Sequence, residues 1–406
     1  MLLNLVKSVR SVFDPDSGVS PDSSPALDIF DPSSRSFDGL FASDSSFNNA
    51  LQPYDARVNA ALGSAAFLSG GAQSAAASVV APPPTFVSSP TSALEFKLVW
   101  DASVAGAGAS EAPFMNAVEN AAQYYANNFS SVSPSYTPAN ALLVTIDVGY
   151  GEVMGSSLPF GAVSASSDNG DFISYNAYYN ALRAAVAVNP SPDPLLNAYV
   201  ANHLPTPAQF TTATGKDPNA TNMFVTYAEE KSLGITPAYT YGQPDGWIGI
   251  AKNSTGFFGT PMNYTADANL NVTGAISGYD AVGAAAHEIS EVLGRVGGLG
   301  ATLVSGTGAT WTPLDLSRYT GSGALDLTTK KGYFSVDGGA TDLANYNTSY
   351  GDSGDWASSS PTYDSYGFYS KNHSAPISAT DLLEVASLGF QLTTTGNANA
   401  GSPKFV

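Results

Sequence analysis

The sequence predicts an α+β domain behind a long extension, and three observations carry that prediction. Residues 94–100, LEFKLVW, place Leu94, Phe96, Leu98 and Trp100 on one face of a strand, because extended side chains alternate with a period of two. Residues 112–129 carry Phe114, Val118, Ala121, Tyr125 and Phe129 at helical spacing behind Pro113, a residue that suits a first turn. Residues 142–148 return to alternation with Leu142, Val144, Ile146 and Val148. Strand, helix and strand in that order make a unit whose strands lie parallel, with the helix on one face.

The remaining elements follow in order. Residues 1–93 are rich in Ser, Ala, Pro and Asp without sustained periodicity, so they read as a flexible extension and a candidate pro-segment. The run APPPTFVSSPTS (81–92) reads as its proline-stiffened linker, and the folded domain as residues 94–392. Helices are predicted over 171–188 and 220–235, the second ending at Gly234. A short strand around Trp247 leaves the turn Pro244-Asp245-Gly246, and a helix follows from about Gly278 to Leu293. Beyond it lie long loops rich in Gly, Ser, Thr and Asp. The last helix is capped by Thr380 or Asp381 and closes near Gly389. Residues 393–406 show no folding pattern of their own.

Composition removes several classes of function. Lys and Arg number 15 against 34 Asp and Glu, a formal charge of −19, which opposes contact with a nucleic acid backbone. The chain has 0 cysteines, so disulfides, thiolate metal sites and cysteine nucleophiles are absent together, and a transition metal must be held by nitrogen and oxygen. No segment reaches the roughly 20 apolar residues that span a bilayer. Only 12% of residues are charged, while small and polar types abound, a texture of exported bacterial proteins. Lys7 and Arg10 interrupt the N-terminal apolar run, so export without a cleaved signal peptide is expected.

The chemistry concentrates in AAAHEISEVLGR, residues 284–295. On a helix, His287 and Glu291 stand one turn apart on one face, the spacing at which two side chains reach one ion. Glu288 is rotated by about 100° and can take a proton from a water at that ion without ligating it. Gly294 can end the helix and turn the chain back. The bland alternative is a helix with ordinary charges, or a site that has lost its ion. Against the first stand the apolar flank of Ile289, Val292 and Leu293, beside which carboxylates need partners, and the scarcity of histidine, of which the chain has 3.

A catalytic zinc takes three protein ligands and a water. In PLDLSRY (313–319), Asp315 is the candidate third ligand, or the partner of Arg318, and Tyr319 (or Arg318) a candidate oxyanion donor. One imidazole and two carboxylates favour zinc, with manganese next. Asp337, Asp342, Asp352 and Asp355 sit on glycine-rich turns and are candidate oxygen ligands for a structural calcium; solvated acidic turns are the alternative, because EF-hand spacing is absent.

Taken in order, HEISEVLGR, PLDLSRY, YFSVDGG, YGDSGDW and DLLEVASLGF resemble a family of exported bacterial metalloproteases, across about residues 94–392. The resemblance implies a zincin-like, metzincin-like fold: a twisted mixed sheet, an active-site helix and a loop-rich C-terminal subdomain. It also implies His287 and Glu291 as metal positions and Glu288 as general base, with Asp315 and Tyr319 in the second shared motif. Two features depart from metzincins. Glu291 and Gly297 stand where their second and third histidines would be, and all 5 methionines precede the motif, which leaves no methionine turn. The expected function is a metal-dependent endopeptidase acting on polypeptides. The alternative is a non-catalytic surface or matrix protein on the same scaffold, with self-association as its partner chemistry.

Overall fold

The structure is a computed structural model, and it describes residues 80–158, 162–189, 193–238, 243–252, 261–264, 275–303, 308–329, 331–348, 352–357, 364–367 and 372–401. Residues 1–79, which hold most of the predicted extension, lie outside the described residues. The architecture is mixed α and β, built on open mixed sheets. The main sheet runs β1 (Thr85–Ser88), β2 (Leu94–Trp100), β3 (Leu142–Tyr150), β7 (Gly246–Ile250) and β4 (Ser164–Asp168), with β4 and β7 numbered in chain order. Strands β2, β3 and β7 are parallel; β1 and β4 join the two edges antiparallel.

The alternating pattern of β2 and β3 works as expected, with Leu94, Phe96, Leu98, Leu142, Val144, Ile146 and Val148 buried on one face. Against that face lies α1 (Glu111–Asn128), which buries Phe114, Val118, Ala121 and Tyr125. Aromatic edges lock this layer: Phe114 meets Tyr150 with ring centroids 5.1 Å apart and Trp100 at 6.3 Å. The run read as linker contributes β1, because Val87 is buried and Thr85 receives the Trp100 indole N–H at 3.1 Å.

Two predicted helices begin later than their apolar spacing suggests. Residues Gly170–Ser174 form β5 and only Tyr175–Val188 form α2, because Ser174 caps the helix by accepting from the Ala177 N–H at 3.1 Å. Likewise Asn222–Thr226 form β6, paired antiparallel with β5, and Tyr227–Ser232 form α3. There a capping box between Thr226 and Glu229 sets the start. In both runs the extended residues pack face to face, Phe172 on Phe224 at 5.7 Å, and this contact outweighs helical spacing.

The motif helix, α4 (Ala281–Val292), packs between α1 and the β7–β4 side of the sheet. The C-terminal portion contains β8 (Arg318–Gly321), paired with β9 (Tyr333–Phe334), and α5 (Ala379–Ser387). Ser378, not Thr380 or Asp381, caps α5; Asp381 is the reciprocal member of that capping box. Thr394–Ala400 of the predicted tail form a helix, capped by Thr393 through the Gly396 N–H at 3.0 Å. No helix among the described residues is long and apolar enough to cross a membrane.

Carboxyls outside the motif helix are also held at a cost in charge, Glu230 buried and Asp147 half-buried. Burial and nearby Asp171 push Glu230 up to about 8, and burial with Asp101 pushes Asp147 up to about 6. Their folded-state values lie above the ordinary ones, so the folded chain binds more protons than the unfolded chain between about pH 4 and 8, and stability is lost as pH rises through that window. Relief of the −19 charge acts in the same direction. The metal-free protein should therefore melt several degrees higher at about pH 5.5 than at about pH 8. A midpoint that rises with pH over this range would refute that balance.

Candidate metal centre

Every residue of α4 is buried. Its first turn is capped by Asp280, whose Oδ1 accepts from the N–H groups of Val282 (3.0 Å) and Gly283 (3.1 Å) and whose Oδ2 accepts from Ala375 at 2.9 Å. Gly283 is required by that approach, since a Cβ there would lie 2.6 Å from the Ala375 carbonyl oxygen. Along the helix, Ala284–Ala286 admit close neighbours, and the Tyr125 hydroxyl donates to the Ala286 carbonyl at 2.8 Å. At the end, Gly294 has φ +115° and a side chain there would collide with Glu229. A helix buried all round leaves its charged side chains no water, so each must meet a partner.

His287 meets its partners at both ring nitrogens. Nδ1 lies 2.7 Å from the Ser365 carbonyl, which can only accept, so the proton sits on Nδ1. Nε2 then faces Glu291 Oε1 at 3.5 Å and Asp355 Oδ1 at 3.4 Å. These three atoms all lie within 4.8 Å of one another, and the group could hold a metal ion. Tetrahedral bonds of about 2.0–2.1 Å place neighbouring ligand atoms about 3.3–3.4 Å apart, close to the separations from Nε2. A backbone carbonyl on Nδ1 is also the usual partner of a ligating histidine.

Arg295 is the fourth member. Its Nη1 lies 2.8 Å from Asp355 Oδ1 and its Nη2 3.4 Å from Glu291 Oε1, while Nε donates to the Ser290 hydroxyl at 2.7 Å. The guanidinium lies 4.4 Å over the Tyr366 ring. On the other side, the Ser166 hydroxyl of β4 donates to Glu291 Oε2. Burial pushes Asp355 up to about 6, even with His287 and Arg295 drawing it down.

Glu288 points toward β4. Burial holds its carboxyl well above the usual range, and the neighbouring Glu291 adds to the rise. Ser164 is near enough to offset a little of this, yet neither Glu288 oxygen meets a donor at hydrogen-bonding geometry. His287, Glu288, Glu291 and Asp355 are 1%, 1%, 0% and 3% exposed, so the centre is enclosed.

Compared with protein-family models, curated proteins and solved structures, the chain matches none. What can be said of the site therefore rests on its own geometry.

Of the residues predicted from the sequence, His287, Glu288 and Glu291 come together and Asp315 does not join them. Asp315 is spent on backbone donors: its Oδ2 accepts from the N–H groups of Gly298 (3.1 Å), Leu299 (2.9 Å) and Thr312 (2.9 Å), and its Oδ1 shares the Gly298 N–H at 3.2 Å. This carboxylate holds the turn after the motif helix, where Leu299 has φ +48°, a conformation a leucine adopts only when its surroundings impose it. Tyr319 is likewise engaged elsewhere. Its hydroxyl donates to the His203 carbonyl at 3.4 Å, on the π-helical turn Tyr199–His203, and Arg318 projects from the other side of β8 to lie 3.6 Å over Tyr346.

The calcium grouping also dissolves. Asp337 accepts from the Ser335 hydroxyl (2.6 Å) and the Thr341 N–H (2.9 Å), Asp352 accepts from the Gly354 N–H at 2.7 Å, and Asp342 is exposed. Asp355 alone leaves that set, for the His287 centre. Among the described residues no other cluster of three such ligands occurs, and His203 and His373 belong to none. Sequence reasoning grouped Asp355 with the acidic turns and not with His287, and gave Arg295 no role. A signal for Arg295 was present: it follows Glu291 by four residues, the spacing of an ion pair along a helix.

Proposed function

We propose that the chain is a metal-dependent endopeptidase, with His287, Glu291 and Asp355 as the metal ligands, on a zincin-like fold. The single observation that carries this reading is the pose of His287. With Nδ1 donating to the Ser365 carbonyl, Nε2 is turned toward two carboxylate oxygens at 3.4 Å and 3.5 Å. Nε2 is thus placed either to carry a proton between the carboxylates or to share a divalent cation with them. Zinc suits the donor set, and manganese is the next choice.

When bound, the ion polarises a carbonyl and lowers the pKa of a water. The residues of the chain do the rest. Glu288 stands beside the ligand group without belonging to it, the place for a base that would take the proton of the attacking water and return it to the departing amine nitrogen. Arg295 offsets one of the two ligand carboxylates, which leaves the three-ligand set with one net negative charge against a divalent ion. The enclosure of the centre requires a covering segment to move before a polypeptide reaches it.

A second reading is favoured by Arg295 itself. The guanidinium already bridges Asp355 and Glu291, so a buried ionic network with a protonated His287 would make a non-catalytic scaffold. Metal analysis separates the two. Purified protein exposed to zinc or manganese should hold about one ion per chain, and Glu291→Ala and Asp355→Ala should each lose it. Wild-type protein that stays metal-free in metal-replete buffer would decide for the ionic network.

A further inference from the structure

The guanidinium of Arg295 holds the same two oxygen atoms that an ion at His287 would take. Asp355 Oδ1 lies 3.4 Å from His287 Nε2 and 2.8 Å from Arg295 Nη1, and Glu291 Oε1 lies 3.5 Å from Nε2 and 3.4 Å from Nη2. Arg295 is fully buried and has three anchors that do not involve these carboxylates. Its Nε donates to the Ser290 hydroxyl at 2.7 Å, its Nη1 donates to the Gly354 carbonyl at 3.2 Å, and its plane lies 4.4 Å over the Tyr366 ring. Tyr366 is fixed in turn. The Tyr125 hydroxyl gives its only proton to the Ala286 carbonyl at 2.8 Å, so it accepts from the Tyr366 hydroxyl at 2.7 Å. These anchors persist when the carboxylates turn to an ion, and the arginine stays beside it.

We infer that Arg295 is a built-in counter-cation, a positioning residue that keeps Glu291 and Asp355 together in the metal-free protein and leaves a bound ion weakly held and exchangeable. The second half rests on the metal reading above. Two carboxylates enclosed away from water repel each other, and the guanidinium that bridges them offsets this before any ion arrives. A divalent ion then meets one more positive charge than it would without the arginine, whatever proton the neighbouring Glu288 holds. Even in the dielectric of water, a unit charge about 5 Å from a divalent ion changes its affinity about tenfold, and an enclosed site screens less. A neutral hydrogen-bond partner would orient a ligand at no such cost. Arg295 instead competes for the two ligand oxygens and repels the ion.

The test measures zinc affinity by chelator competition, and the thermal midpoint with and without zinc, for the full chain and its Arg295→Met and Arg295→Lys variants at one pH. Metal-free Arg295→Met should melt several degrees below the wild type, and saturating zinc should close most of that gap. It should also bind zinc at least about tenfold more tightly, whereas Arg295→Lys, which keeps the charge, should stay within about threefold of the wild type. If Arg295→Met does not fold without metal, Arg295→Gln, another neutral side chain, takes its place with the same expectation. A wild type that binds zinc and a neutral variant that binds it no more tightly would overturn the inference and leave the metal reading standing. No zinc in either protein would sink both. Zinc bound by the neutral variant alone would uphold the role of Arg295 and make the wild-type centre the ionic network.

Discussion

Glu288→Gln should abolish most peptide cleavage while leaving the metal in place. General acid–base residues contribute about 10²–10⁴ in rate, and glutamine keeps the shape of the side chain without its proton affinity. The residue ligates nothing, and neither of its oxygens has a hydrogen-bond partner to lose, so the substitution removes a buried carboxyl that is held well above its usual range and spares the fold. Thermal stability should therefore stay level or increase. Assays on an unstructured polypeptide, with metal content measured on the same preparations, give the comparison. Equal cleavage by wild type and variant would exclude Glu288 as the base, and loss of metal in the variant would assign it to the ligand set.

Asp315→Ala should produce the opposite pattern, a large loss of stability with no loss of metal from molecules that remain folded. The substitution strands two buried backbone N–H groups, at Gly298 and Thr312, each left unsatisfied at about 1–3 kcal/mol, and a part-buried one at Leu299. It also takes away a negative charge whose attraction is felt by the buried Arg318. A loss of about 3 kcal/mol or more is a large share of the stability of an ordinary domain. Denaturant unfolding measures the loss, and metal content per folded chain separates this residue from Asp355. A metal-free yet fully stable Asp315→Ala protein would return Asp315 to the centre.

These two variants also show why the site was only partly legible in the sequence. His287, Glu288 and Glu291 lie on one helix, whose periodicity fixes their mutual placement, so local spacing was enough to group them. Asp315 and Asp355 had equal standing as sequence. Asp315 lies between Leu314 and Leu316 and Asp355 between Gly354 and Trp356, and neither position fixes its distance from His287. What separates them is which donors reach each carboxylate: backbone N–H groups of the 298–299 turn for one, His287 and Arg295 for the other.

The strands divide in the same way. Residues 94–100 and 142–150 declared themselves because one buried face enforces a period of two. Residues 170–174 and 222–226 read as the starts of helices, since only their pairing with each other shows that they are extended. By itself, then, the sequence determined the mixed α and β class, the motif helix and the grouping of His287, Glu288 and Glu291 on it. The tertiary structure decided the third ligand candidate and the bridging arginine. Helical and strand periodicity act over a few residues, whereas the charge balance of a buried centre is set by groups that meet only when distant loops are packed against one helix.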